Sequence, residues 1–214
     1  MDLLIATGFS DAYAPLGKIT SPRWQEYATK HGYRFKCIRD YPPELGHPTW
    51  QRLRHILEQL PSCEVLFFIG ADCYCTNLDI DLADWIGQTE KPILMSGDFN
   101  SRWSSEGIIA RHCPAVLNFF QKVLELAPKW AHQPYFREQS AISELGVLPE
   151  YADLIHTLPL RYLMSVPRNC DAWSRDMPDE SLWHPGDFLL HAASSTFAQK
   201  LKLLTEIQAQ FNQR

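Results

Sequence analysis

The first 70 residues alternate between short apolar runs and amphipathic stretches, and few architectures accept that order. Residues 3–7 (LLIAT) are continuously apolar and meet Gly8, the pattern of a buried strand entering a loop. Ser21-Pro22 supplies a cap and a first-turn proline for a helix through Trp24, Tyr27 and Ala28 that stops at Gly32. Residues 33–38 alternate as a second strand, and the proline-rich stretch 40–48 reads as a loop. Thr49 caps a second helix with Trp50, Leu53, Ile56, Leu57 and Leu60 at helical spacing, ended by Pro61. Residues 65–69 (VLFFI) then give the strongest central-strand signal in the chain. Continuous apolar strands between amphipathic helices predict an α/β domain with a mainly parallel sheet covered on both faces. Ligands of such sheets bind beyond the carboxyl ends of the strands, which singles out residues 7–10 and 70–72. Neither segment is a dinucleotide or P-loop fingerprint.

The second half is less regular. Strands are expected at 92–96 and 107–111, a helix from Pro114 and a short helix around 138–141. Two short strands broken at Pro159 are expected within 153–164, then a loop over 165–186. A short apolar strand or bend follows at 188–191. A terminal helix over 195–212 buries Phe197, Leu201, Leu204, Ile207 and Phe211. No repeat or linker divides the chain, so 1–214 reads as one domain, a usual size for one. With 20 basic against 25 acidic residues and no basic run, nucleic acid is not an expected partner. No stretch approaches the ~20 apolar residues of a membrane span. The N-terminus lacks the basic flank and cleavage site of a secretory signal, so a cytoplasmic location is expected. The six cysteines are then expected to be reduced, with Cys37 and Cys75 in apolar strand surroundings. Cys73 and Cys75, one residue apart, do not have the spacing of a zinc half-site.

Asp72 ends the strongest strand, where a carboxylate is costly unless solvated, paired or bound to a cation. One reading is an Asp that orders the following turn with Asn77. The other is a ligand for a hard divalent cation carrying a phosphate-bearing substrate. Phe9, Tyr13, Tyr27 and Trp50 are candidates to line a base pocket, or are core. His191, after an apolar run, is a buried hydrogen-bonded histidine or a ligand.

Residues 66–72 (LFFIGAD), with Asn77 beyond, resemble the segment holding the Asp-x-Asp motif of GT-A nucleotide-sugar glycosyltransferases. The resemblance is closest to the galactosyl/mannosyltransferase family that includes fungal Golgi alpha-mannosyltransferases and plant xyloglucan xylosyltransferases. Residues 27–33 (YATKHGY) resemble its YAxxHGY block, and Trp50-Gln51-Arg52 stands where it has Trp-x-Lys. Residues 107–111 (GIIAR), 138–141 (EQSA) and 183–191 (WHPGDFLLH) resemble three further blocks in the same order. Two departures stand out: Gly70 replaces the first Asp of the motif, and Ser105-Glu106 replaces Asn-Thr.

The resemblance implies a GT-A-like fold and a retaining transfer of a hexose or pentose. The donor is a nucleoside-diphosphate sugar (UDP- or GDP-linked) and the acceptor a glycan or small hydroxyl compound. It implies Mn2+ or Mg2+ held by Asp72 and His191, manganese first because it tolerates imidazole. Thr7, Phe9, Arg52, Ala71 and Asp72 are the expected donor-binding residues. Glu138 and Gln139 are the catalytic candidates for the sugar's far face, with Glu106 a third. Asp98 and Asp187 are expected at the acceptor or in the loop before His191. Two other functions fit parts of the pattern. Loss of the first motif Asp suits a catalytically silent nucleotide-sugar binding protein. A phosphate-ester hydrolase would need several carboxylates gathered at strand ends, where only Asp72 and Asp98 qualify.

Overall fold

Strands β1 (Leu3–Gly8), β2 (Arg34–Ile38) and β3 (Val65–Gly70) lie parallel in one sheet, with β1 between the other two. Helix α1 (Ala14–His31) connects β1 to β2, and α2 (Pro48–Gln59) leads into β3. A short strand β4 (Cys73–Cys75) and helix α3 (Leu82–Ile86) follow. Then come β5 (Ile93–Gly97), β6 (Trp103–Arg111), α4 (Pro114–Glu125), α5 (Ala127–Trp130) and α6 (Arg137–Gly146). The chain closes with β7 (Ile155–Leu158), α7 (Leu160–Leu163), β8 (Leu189–His191) and α8 (Phe197–Asn212). This is a computed structural model, and it describes residues 1–98, 102–168, 179–193 and 196–212.

The six-stranded sheet has the order β2-β1-β3-β6-β5-β7. All neighbours are parallel except β6, which runs antiparallel to both β3 and β5. The expected α/β architecture with a mainly parallel sheet is therefore present. Alternate side chains feed two cores. Leu4, Ala6, Leu66 and Phe68 pack on Leu53 and Ile56 of α2 and on Phe119 and Phe120 of α4. Leu3, Ile5, Phe67 and Ile69 pack on Trp24 and Tyr27 of α1 and on Phe188. Strand β4 pairs antiparallel with β8, setting Cys73 opposite His191. That pairing fixes the end of the chain against the turn after β3.

Local expectations differ from the structure in several places, among them Phe197, which is exposed rather than buried on α8. Helix α1 begins at Ala14, not at Ser21-Pro22, and carries Pro22 in its interior. The interior proline costs about 3 kcal/mol, offset by a face that buries Leu16, Thr20, Trp24 and Tyr27. Helix α2 is capped by His47, whose Nδ1 accepts from the Thr49 N–H at 3.3 Å, so Thr49 lies inside the first turn. After Pro159 the chain forms α7 rather than a strand, and Leu163 turns inward against the sheet. Cys37 is exposed on the edge strand β2, not in apolar surroundings, because β2 shows most of its residues to solvent. Of the expected terminal helix, Ser195 lies outside the described residues.

Candidate active site

Two side chains of α1, one helical turn apart, fix the segment after β3. The Thr20 hydroxyl donates to the Ala71 carbonyl at 2.8 Å, and the Trp24 indole N–H to the Cys73 carbonyl at 2.8 Å. Asp72 is held between them. Its own carbonyl accepts from the Ala192 N–H at 2.9 Å, which ties the end of β8 to the same turn. His191 therefore arrives beside Asp72 although the two are distant in sequence.

Five side chains converge here. The Lys200 ammonium, from the first turn of α8, pairs with Asp72 Oδ2. His191 Nε2 lies 3.7 Å from Asp72 Oδ2 and 3.9 Å from Glu106 Oε2. Arg52 of α2 donates to the Ser105 carbonyl at 2.6 Å and to Glu106 Oε2 at 3.2 Å. Burial by itself would raise the Asp72 carboxyl, but Lys200 and His191 outweigh it and hold it well below the usual carboxylate range. Burial likewise opposes the charge on Lys200, and the Asp72 carboxylate reverses the effect, so its pKa lies above the ordinary value. The guanidinium of Arg52, buried yet faced by Glu106 and Glu138, stays charged.

Arg52, Asp72, Glu106 and Lys200 border a cleft of about 210 Å³ lined also by Gly8, Phe9, Ser10, Tyr13, Tyr41, His47, Thr49 and Ala71, and His191 sits behind Asp72 and Glu106. The cleft opens at the carboxyl ends of β1 and β3, where ligands of parallel sheets bind. A larger groove of about 680 Å³ lies elsewhere, between Asp81, Trp85, Tyr162 and Asp187. It holds none of Arg52, Asp72, Glu106 and Lys200, and chemistry rather than size points to the smaller cleft.

The donors suit a divalent cation. Oxygen atoms of Asp72 and Glu106 and a nitrogen of His191 all lie within 4.8 Å of one another. The two His191 contacts are too long for hydrogen bonds. They match the ~3 to 4 Å between neighbouring ligands of a cation bound at about 2.1 Å. His191 Nδ1 is buried without a hydrogen-bond partner among the described residues, so the ring meets its surroundings through Nε2. Cys73 lies in the same cluster, but burial pushes its thiol well up, and a neutral thiol is a poor ligand for a hard cation.

Of the residues singled out from sequence, Arg52, Asp72, Glu106 and His191 meet in this cluster, and Phe9 and Ala71 line the cleft. Glu138, Gln139 and Asp98 form a neighbouring network. Glu138 Oε1 accepts from the Ser105 hydroxyl at 2.8 Å, Gln139 Oε1 from the Ser105 N–H at 3.0 Å, and Gln139 Nε2 donates to Asp98 at 3.1 Å. Thr7 is buried beneath the cleft in β1, and Tyr27 and Trp50 are core. Asp187 pairs with Arg161 at 2.8 Å and accepts from the His184 N–H at 2.7 Å, ordering the loop before β8. Tyr41, His47 and Lys200 were missed from sequence. The first two sit in or beside an irregular loop that no periodicity describes. Lys200 did leave a trace: it occupies the apolar stripe of α8 between Phe197 and Leu204.

No protein-family model matches the chain, and no curated protein matches it in sequence. Solved structures do. A glycosyltransferase involved in glycosylation of the major capsid of PBCV-1 superposes with a TM-score of 0.73 at 17% identity, over 96% of this chain and 100% of that one. The galactosyltransferase LgtC, in complex with donor and acceptor sugar analogs, gives a TM-score of 0.62 at 14% identity, over 97% of this chain and 95% of its own. The glycosyltransferase GlyE of Streptococcus pneumoniae TIGR4 gives 0.58 at 13% identity; this chain is covered in full and spans 64% of GlyE. At such identities the shared property is the fold, and that fold is the GT-A type of nucleotide-sugar glycosyltransferases.

Proposed function

We infer that this protein is a glycosyltransferase that moves a sugar from a nucleoside diphosphate to a hydroxyl acceptor, with retention at the anomeric carbon. One observation carries the reading. A buried carboxylate, Asp72, lines a sheet-end cleft with a histidine beside it in ligand-like geometry, and the cations Arg52 and Lys200 flank it. The GT-A fold of the solved neighbours supports it.

On this reading Asp72 and His191 hold Mn2+ or Mg2+. When bound, such an ion would supply Lewis-acid chemistry for the negative charge that grows as the sugar–phosphate bond breaks. Arg52, fixed by Ser105 and Glu106, and Lys200 face the same charge and need no reorganisation to meet it. Phe9 and Tyr13 offer apolar surface to the nucleoside, UDP- or GDP-linked. The sugar lies toward Ser105, with Glu138 and Gln139 behind it as the candidates for its far face. Asp98 and the acceptor, a glycan or small hydroxyl compound, lie on that side.

The test is nucleoside diphosphate release from a panel of UDP- and GDP-sugars, with and without an acceptor mixture. Acceptor-dependent release from one donor is expected. Tight binding with no turnover would instead identify a silent nucleotide-sugar binding protein. Turnover to free sugar with no glycoside formed under any acceptor would identify a hydrolase.

A further inference from the structure

Gly70 and Glu106 face each other across the sheet. Strands β3 and β6 are antiparallel with Ile69 opposite Gly107, so the next pair outward is Gly70 with Glu106. Directly opposed residues of an antiparallel pair project from the same face, about 5 Å apart. At position 70 there is no side chain, and the Glu106 carboxylate fills the space. A methyl group added at Gly70 would overlap Glu106 Oε2 and approach Asp72 Oδ1 to 3.1 Å. Gly70 has no positive φ, so backbone conformation does not require glycine here. Room for the neighbouring carboxylate does.

The oxygen that fills this space points at the site described above. Glu106 Oε2 is 3.9 Å from His191 Nε2 and is steadied by Arg52 at 3.2 Å. The His191 side chain is 8% exposed and within hydrogen-bonding distance of neither carboxylate it faces. The gaps from Nε2 to the two carboxylates are those a cation held among the three donors would span.

We propose that Glu106 is the third protein ligand of the cation, a carboxylate carried by β6 in the space that a side chain at position 70 of β3 would occupy, and that Gly70 is the condition for it. This rests on the reading that the cleft takes a divalent ion, and it names the donor set: Asp72, Glu106 and His191. Exchange of a carboxylate between two cross-strand positions keeps the charge and the face of the sheet while changing the strand that supplies it. It follows that the motif at 70–72 is complete in space though not in sequence.

The experiment is titration of Mn2+ alone, with the free ion followed by electron paramagnetic resonance, on the full chain and its variants, each checked for a cooperative thermal transition. Glu106→Gln should weaken binding by about tenfold or more, as should Asp72→Asn. Gly70→Asp in the native background forces two carboxylates into one space, and binding should fall there too. Combining Gly70→Asp with Glu106→Ala should recover affinity to within about threefold of the native chain, well above Glu106→Ala by itself. Native affinity in Glu106→Gln alongside loss in Asp72→Asn would overturn the proposal and leave the metal reading standing. A double variant no better than Glu106→Ala would also overturn it. Absence of Mn2+ binding by the native chain would overturn both.

Discussion

Lys200 occupies a helix position that the surrounding stripe reserves for apolar side chains, and Asp72 explains why. Its ammonium is buried at the cleft and paired with that carboxylate. The pair sets two demands against each other: the lysine would compete with a metal ion for Asp72, yet add positive charge where a diphosphate would lie. Lys200→Met should therefore bind Mn2+ alone more tightly, by roughly tenfold, while binding nucleoside diphosphate more weakly. Both are read by calorimetric titration, and weaker Mn2+ binding would contradict the competition. Arg52 makes a simpler prediction. Arg52→Ala should weaken donor binding by about 10- to 100-fold, the worth of a charge-assisted hydrogen bond, and Arg52→Lys should recover part of it. Equal dissociation constants in a folded Arg52→Ala would remove Arg52 from the donor site. That Asp72, His191 and Arg52 belong together could be read from sequence because each stands at a motif position. The role of Glu106 could not, since only cross-strand register brings it to Gly70.

Among the elements, continuous apolar strands were the most legible: β1 and β3 fall where the sequence puts them, because a strand buried on both faces leaves no alternative for its side chains. Helix starts were less legible. Pro22 has the look of a first-turn residue, yet packing of α1 against β4 and α8 carries the helix back to Ala14. The short helix α3 was missed altogether, and its start depends on a tertiary pair. Asp81 accepts from the Ala83 N–H at 2.9 Å and from the Tyr33 hydroxyl. Partial burial would raise the Asp81 carboxyl, but these two hydrogen bonds, together with the nearby His31, outweigh it and hold it below the usual range. A depressed carboxyl stabilises the fold above its unfolded pKa of about 3.9. Asp81→Ala should thus cost about 1 kcal/mol near neutral pH. The difference from the native chain should shrink as the pH falls below about 4, measured by urea denaturation. A difference that grows on acidification would contradict the assignment.

At the scale of the whole molecule, two cores pack on the faces of one sheet, and the site forms where that sheet ends and the last strand returns to it. Among the described residues no helix is long and apolar enough to cross a membrane. Cys37, Cys63, Cys73, Cys75 and Cys113 are free thiols, and Cys170 lies outside the described residues. Thiol titration of the unfolded, unreduced chain should find all six cysteines free, and a stable disulfide would refute this. The overall fold was readable because hydrophobic patterning dictates layers. The site was readable only in part, because its donors come from β6, β8 and the turn after β3, and no local pattern records their meeting. On the proposed function a metal ion held by Asp72 and His191 would carry the donor diphosphate. Titration of UDP- and GDP-sugars with Mn2+ or with chelator tests it most directly, on the native chain and on His191→Ala. One donor should bind with Mn2+ and lose at least about tenfold in affinity with chelator or in the variant. Unchanged affinity in chelator, with His191→Ala indistinguishable from the native chain, would contradict the account.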